Sequence, residues 1–368
     1  MTLEIDILHR LGGFTLEAKL TAPAGLTALF GPSGSGKTSV INLVAGLMKP
    51  DRGRIVIDGE VLVHTEGSIF VPAYKRRIGY VFQEGRLFPH LSVRQNLLYG
   101  RWFSSLGGDG VEDVVELLGI GALLDRRPEG LSGGEKQRVA IGRALLANPR
   151  LILMDEPLAS LDEARKAEIL PYIERLRDES RVPILYVSHS LSEVTRLATA
   201  LAILSDGRIA AAGPTDQIMQ RFDLLPPSAR DEAGSILETR VESHDDAYGL
   251  TTLRARAGSV RVPRIELSAG QPVRIRIRAR DVMVATERPQ GLSALNILAG
   301  TVSEVGGADG PAADLRIDCA GEIVTARVTR HSIATLNLRP GMPVYAVIKS
   351  VAFDRRSIGA PIQDAGEL

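Results

Sequence analysis

With 368 residues, the chain is long enough for two or three domains, each with its own core. Its 44 basic and 44 acidic side chains cancel, which argues against a strongly basic nucleic-acid binder; a hydrophobic fraction of 44% is ordinary for a globular protein. No window approaches the roughly 18 uncharged apolar residues of a bilayer-spanning helix, and the lone Cys319 excludes an internal disulfide or a cysteine-built metal cluster.

The first residues alternate (Leu3-Glu4-Ile5-Asp6-Ile7-Leu8), a strand pattern and not a leader peptide, so a soluble cytoplasmic protein is the simplest expectation. Leu26–Phe30 reads as a buried strand running into a glycine-rich loop, and Ser39 to Leu47 has helical spacing that stops before Pro50. Arg54 to Val63 reads as a hairpin turning at Asp58-Gly59. Ile78–Phe82 reads as a further strand, and residues 92–127 are mostly helical in pattern. From Gly133 to Gly213 helices near 134–147, 163–179 and 190–199 alternate with strands at Leu151–Asp155, Ile184–Ser188 and Ala200–Leu204. That alternation predicts an α/β domain with a largely parallel sheet.

Around Phe222 to Ser235 the pattern dissolves into Pro226-Pro227 and mixed polar residues, as in a linker. Short alternating runs follow at Ser235–Glu242, Leu250–Arg256, Val273–Arg278, Thr325–Thr329 and Val344–Ile348, which predict a small β-barrel. Arg274, Arg276, Arg278 and Arg280 share one face of a strand. Without interleaved aromatics to stack bases, that face reads as solvated or salt-bridged between subunits, and no nucleic-acid partner is expected.

The loop Gly31-Pro32-Ser33-Gly34-Ser35-Gly36-Lys37-Thr38, with Ser39 next to it, has the G-x-x-x-x-G-K-T spacing between strand and helix. Glycines let the backbone turn its N–H groups onto phosphate oxygens, and the helix N-terminus adds partial positive charge. Lys37 is placed to reach the terminal phosphates of ATP and Thr38 to ligate Mg²⁺. Leu151-Ile152-Leu153-Met154-Asp155-Glu156 is a buried strand ending in two acids. At the carboxyl edge of a parallel sheet Asp155 suits Mg²⁺, and Glu156 suits a general base acting on water. Leu131-Ser132-Gly133-Gly134-Glu135-Lys136-Gln137-Arg138 opens a second helix able to hold an anion.

Here the chain resembles the ATP-binding cassette (ABC) ATPases, in which LSGGE-Q-R is the signature motif. The resemblance covers about residues 1–230. It implies a P-loop NTPase with a RecA-like core, an antiparallel β subdomain and a helical subdomain at about 85–150. It also implies two copies facing head to tail, so that Ser132, Gly133 and Gly134 of one chain cap the phosphate held by the other. By the same resemblance Gln83 matches the Q-loop glutamine, which senses the Mg²⁺ site and the membrane partner. Ser160-Leu161-Asp162 matches the D-loop across the dimer, and His189 matches the switch histidine. The aromatic that stacks on adenine belongs in the first strands, where Phe14 is either that residue or part of the core.

The segment from Arg76 to His90 resembles the stretch of importer cassettes that receives a transmembrane coupling helix. Leu87, Phe88 and Leu91 either supply that groove or pack under the helical insertion. Ser293-Ala294-Leu295-Asn296 and the run from Leu338 to Ser350 resemble the opening and close of a molybdate-binding (Mop-type) domain of the OB-like barrel class, at about 291–356. Residues 231–290 would then hold the linker and the first barrel strands. Ser293, Lys349 and Ser350 are its candidate ligands for molybdate or tungstate, although Leu295 stands where the motif commonly has arginine. A barrel that only dimerises or spaces subunits is the alternative. Together these resemblances imply the ATPase subunit of an importer at the cytoplasmic face of the cell membrane. Its partners would be two permease subunits and, indirectly, a substrate-binding protein. Molybdate is the implied cargo; sulfate, tungstate, sugar or ferric iron are alternatives, and a soluble cassette acting on nucleic acid is a more distant one.

Overall fold

The computed structural model describes residues 2–100, 110–180, 182–219, 221, 233–306, 311–353 and 358–359. The chain divides after Pro214 into two compact units. The first opens with β1 (Leu3–Leu11), β2 (Phe14–Ala22), β3 (Leu26–Phe30) and α1 (Lys37–Ala45). Next come β4 (Arg52–Ile57), β5 (Glu60–His64), β6 (Ile69–Phe70), β7 (Ile78–Val81), α2 (Val93–Leu98) and α3 (Val111–Leu117). The remainder is α4 (Gly133–Leu146), β8 (Leu151–Asp155), α5 (Glu163–Glu179), β9 (Ile184–Ser188), α6 (Leu191–Leu197), β10 (Ala200–Ser205) and β11 (Arg208–Pro214).

These eleven strands form one sheet in the order β6-β5-β4-β1-β2-β11-β10-β3-β9-β8-β7. The run from β6 to β2 is antiparallel. The run β10-β3-β9-β8-β7 is parallel. The sequence patterns explain the division. β1 and β2 alternate buried and exposed residues, as a sheet covered on one face does. β3 and β9 are buried at every position, as parallel strands covered on both faces are. The β4–β5 hairpin turns at Asp58-Gly59, both with positive φ (49° and 79°), which is the backbone a tight two-residue turn requires.

The far end of α1 is closed by an arginine. Gly46 caps the helix in the left-handed region (φ 80°). Against it lies Arg76, which is 1% exposed. Its Nη1 donates to the carbonyls of Leu43 (2.9 Å) and Val44 (2.7 Å), and its Nε donates to Val71 (2.7 Å). The guanidinium stands 5.0 Å from the centre of the Phe70 ring. Burial lowers its pKa to about 10, so it remains charged at neutral pH and complements the negative end of the helix. Replacing Arg76 with methionine leaves buried carbonyls without donors. The expected loss of stability is about 2–4 kcal/mol, read as a lower urea midpoint with unchanged m-value.

The insertion is built from short helical pieces. Among the described residues it holds α2, α3 and short 3₁₀ turns at Gly121–Leu123 and Pro128–Gly130; residues 101–109 lie outside those described. Phe88 packs under it. Its ring sits 4.1 Å from that of Tyr99, and Asn96 bonds both its backbone N–H and its carbonyl. Leu87 and Leu91 are half-buried.

The second unit is all β apart from short helices. One antiparallel sheet joins β12 (Gly234–Asp245), β13 (Leu250–Ala255), β14 (Gly258–Pro263), β15 (Pro272–Arg278) and β21 (Ile358–Gly359). The other joins β16 (Val282–Ala285), β17 (Asn296–Gly306), β18 (Ala312–Cys319), β19 (Glu322–Thr329) and β20 (Pro343–Ile348). Both face one apolar core that includes Leu237, Ile275, Leu298, Ile317 and Ala346. This curled antiparallel arrangement is the OB-like class expected. Most of the expected linker, residues 222–232, lies outside the described residues.

The arginine stripe corrects the sequence reading. Arg274 and Arg276 are 4% and 5% exposed, and therefore neither solvated nor on a free face. β15 lies between β12 and β21, so its backbone is paired on both edges. Arg274 pairs with Glu238 (3.3 Å) and Arg278 with Asp281 (2.7 Å), all within the chain.

Candidate functional site

Parallel strands place successive loops along one edge of the sheet, so sequence order converts into a row of side chains. The glycine loop follows β3, Gln83 follows β7, Asp155 and Glu156 close and follow β8, and His189 follows β9. These four segments share the carboxyl edge of the parallel run, where a ligand crevice forms.

The loop enters α1 through Gly36 at φ 103°, a backbone that side chains other than glycine rarely adopt. Any Cβ there would also come within 3.2 Å of the Phe14 ring, which therefore lies directly beside the loop. Phe14 also packs on the core of the first unit. Lys37 is 5% exposed and folds across its own loop, donating to the carbonyls of Gly31 and Pro32 at 2.8 Å each. Burial lowers its pKa, while the charges of Glu156 and Asp155 act in the opposite sense.

Thr38 Oγ1 donates to Asp155 Oδ1 at 3.2 Å. Burial is the largest influence on Asp155 and raises its pKa, against the bonds it receives from Thr38 and Tyr80. A hydroxyl beside one carboxylate is the hard-oxygen set that Mg²⁺ takes when phosphate oxygens and water complete its shell. Among the described residues no cluster of three His, Cys, Asp or Glu could hold a metal by itself. The arrangement thus fits a cation brought in with phosphate.

Glu156 has φ 46°, in the left-handed region, with its N–H held by the Val187 carbonyl at 3.0 Å. A non-glycine residue held there costs about 1 kcal/mol or more, and such residues concentrate where a side chain must be aimed. Here the turn sets Glu156 Oε2 3.1 Å from His189 Nδ1. His189 is exposed, and the Glu156 side chain keeps 23% exposure, so both are open to a ligand and water.

The signature helix α4 starts at a reciprocal cap. Ser132 Oγ accepts from Glu135 N (3.2 Å), and Glu135 Oε2 accepts from Ser132 N (2.7 Å). The bond from the Ser132 N–H is the largest reason the Glu135 carboxyl lies below its ordinary pKa. Since the Ser132 oxygen is used as acceptor, its proton remains to be donated outward. Gly133 makes room for Leu161, whose Cδ2 would stand 2.9 Å from a Cβ there. Asp162 caps α5 of its own chain by accepting from Arg165 N at 3.0 Å. Gln83 is exposed, two residues beyond β7.

Three supporting groups escaped the sequence reading. Tyr80 reaches Asp155, with 3.3 Å between its hydroxyl and Oδ2. Glu193 is 4% exposed; it accepts from Tyr186 (2.9 Å) and Ser188 (2.8 Å) and pairs with Lys166 (3.1 Å). Ser188 Oγ also accepts from Ser190 N (3.0 Å), so hydrogen bonds brace the turn on both sides of His189. In sequence, Ser190 and Glu193 have capping-box spacing, which hides the inward turn of the carboxylate.

In the second unit, Asn296 opposite Ile348 in the β17–β20 ladder brings Ser293, Lys349 and Ser350 toward one end of that strand pair. Ser293 and Lys349 are exposed, whereas Ser350 is buried and lies 3.4 Å from Asn296 Nδ2. Asn296 is fully buried and clamps the backbone of Arg261, accepting from its N–H (2.6 Å) and donating to its carbonyl (3.0 Å). It is a stitch between β17 and β14.

The ABC transporter family model matches residues 17–159, and the TOBE domain model matches residues 292–353. A Mesorhizobium japonicum protein named molybdenum import ATP-binding protein ModC is 59% identical over 362 residues, covering 98% of each chain. The chain belongs to the ABC transporter family. A Rhizobium etli protein with the same name as the Mesorhizobium one is 55% identical, covering 96% of this cassette chain and 100% of that protein. Among solved structures, cbiO1 from Clostridium perfringens, part of the ABC transporter complex cbiONQ, has a TM-score of 0.51 at 25% identity. It covers 61% of this chain and 96% of its own. An ABC ATPase fold implies nucleotide binding.

Proposed function

We propose that this chain is the ATP-hydrolysing subunit of an ABC importer that powers molybdate uptake across the cytoplasmic membrane. The observation that carries the substrate is the near full-length identity to proteins named for molybdenum import, since it runs through the TOBE-matched tail as well as the cassette. Among the described residues no helix is long and apolar enough to cross a membrane. The translocation path would therefore come from two permease subunits, with an external binding protein delivering cargo, and this chain would sit at their cytoplasmic face.

In this reading Lys37 exchanges its loop carbonyls for the terminal phosphates, and the N–H groups of the glycine loop hold the remainder. Thr38 and Asp155, with Gln83 entering from its loop, would hold Mg²⁺, which supplies charge neutralisation along the phosphates. Glu156 accepts a proton from water, and His189 steadies that carboxylate through Nδ1. Only the imidazolium could donate from its second nitrogen to phosphate as well. Phe14 offers a ring to adenine. Ser132, Gly133, Gly134 and Asp162 serve the site of a second copy. Ser293, Lys349 and Ser350 offer an oxyanion two hydroxyls and one ammonium.

Deleting the coding sequence should abolish uptake of radiolabelled molybdate by whole cells; the wild-type chain should restore it and the Glu156→Gln chain should not. Unimpaired molybdate uptake in the deletion strain, with another solute's uptake lost instead, would reassign the substrate. Unimpaired uptake of every solute tried, with no membrane protein co-purifying, would remove the importer reading.

A further inference from the structure

Tyr80 stands in β7, three residues before Gln83. Its hydroxyl is 3.3 Å from Asp155 Oδ2 and 3.2 Å from Asn42 Oδ1. Asn42 lies one turn beyond Thr38 on α1, so both residues occupy the same helical face. Thr38 and Tyr80 therefore approach the two different oxygens of Asp155. On its other side the Tyr80 ring stacks on Phe82, with centroids 4.1 Å apart and planes 22° from parallel. The Arg86 guanidinium covers Phe82 at 4.2 Å from the ring centre.

A phenol has one proton for these two oxygens. The charged carboxylate is the stronger acceptor, so the proton goes to Asp155. Turning the Asn42 amide end for end lets its NH₂ donate to the phenol oxygen, and the pair of oxygen and nitrogen positions is interchangeable in shape. Hydrogen bonds then run in one direction, from Asn42 to Tyr80 to Asp155.

We propose that Tyr80 is a positioning residue that fixes the Asp155 carboxylate for Mg²⁺-ATP and links it, through the stack on Phe82, to the Gln83 loop. The inference rests on the ATPase reading above. Partners of a metal-binding group set its orientation and basicity, and their loss typically costs about 10–100-fold in metal affinity or activity. The stack gives the linkage a mechanical form. A displacement of the segment Phe82–Arg86 moves the ring on which Tyr80 rests, and Tyr80 holds one oxygen of Asp155.

The test uses the full-length chain, with ATP binding followed by equilibrium dialysis in EDTA and across a MgCl₂ titration. Tyr80→Phe keeps the ring stack and removes one oxygen. It should bind ATP in EDTA as the wild type does, need about tenfold more Mg²⁺ for half-maximal binding, and turn over about tenfold more slowly with the same thermal midpoint. Asn42→Ala removes the more distant partner and should shift the Mg²⁺ requirement in the same direction, by less than the shift of Tyr80→Phe. A wild-type Mg²⁺ requirement in both variants would overturn the proposal. So would an equal loss of binding with and without Mg²⁺, which marks a merely structural role. ATP binding by the wild-type chain that was indifferent to Mg²⁺ would likewise overturn the proposal, whereas absence of phosphate release from Mg²⁺-ATP by the wild-type chain would remove the ATPase reading on which it rests.

Discussion

Replacing Glu156 with glutamine should leave ATP bound and stop its hydrolysis. Glutamine has the length and shape of glutamate and can still accept a hydrogen bond from His189 Nδ1, which lies 3.1 Å from Glu156 Oε2. It cannot take a proton from water. Loss of a positioned general base slows turnover by about 10²–10⁴-fold. The left-handed backbone at position 156 imposes a similar cost on either residue, so stability should change by no more than about 0.5 kcal/mol. Phosphate release measures the first quantity, and thermal unfolding without nucleotide measures the second. With hydrolysis stalled, size-exclusion chromatography in ATP should show a dimer that the wild type forms only transiently. Turnover close to the wild-type rate would remove Glu156 from the role of base.

Replacing Lys37 with alanine should have the opposite profile, failing at binding. The ammonium is buried and sits between two carbonyls at 2.8 Å, at the centre of the loop that would take the phosphates. Truncating one partner of a buried, hydrogen-bonded charge pair costs about 2–5 kcal/mol, or roughly 30- to 4,000-fold in affinity. Isothermal titration with ATP should therefore show weak or undetectable binding, and no dimer should accumulate even when Glu156→Gln is added. A double variant that still trapped the dimer would show that Lys37 is dispensable for holding phosphate. The two substitutions thus separate grip from chemistry.

The parallel half of the first unit was legible because buried runs such as Leu151–Asp155 and Ile184–Ser188 have strand length and end in polar groups. The glycine loop was legible because its spacing has few other physical uses. What local pattern could not show was which member of a polar pair turns inward. Arg76 and Arg77 are adjacent, yet the first is buried against helix carbonyls and the second donates to Asn148 at an exposed site. Tyr80 read as one more strand residue, because its partner Asp155 is 75 positions away. Arg274 and Arg276 alternate as surface residues do, yet both are buried, and alternation alone does not say whether the second face of a strand is covered. Asn296 belonged to a recognised run, but its commitment to the Arg261 backbone depends on a strand 35 positions earlier.

The arginine behind α1 bears on where the free energy of nucleotide binding can go. The helix is fixed at its far end by Arg76 and the Gly46 cap, and at its near end Lys37 already bridges the loop. A phosphate would meet a helix that needs little further ordering, and the rearrangement left to the protein is the exchange of the two Lys37 carbonyl bonds for phosphate. A change at Arg76 would therefore loosen the helix that carries Lys37 and Thr38 without touching a single group that faces the nucleotide.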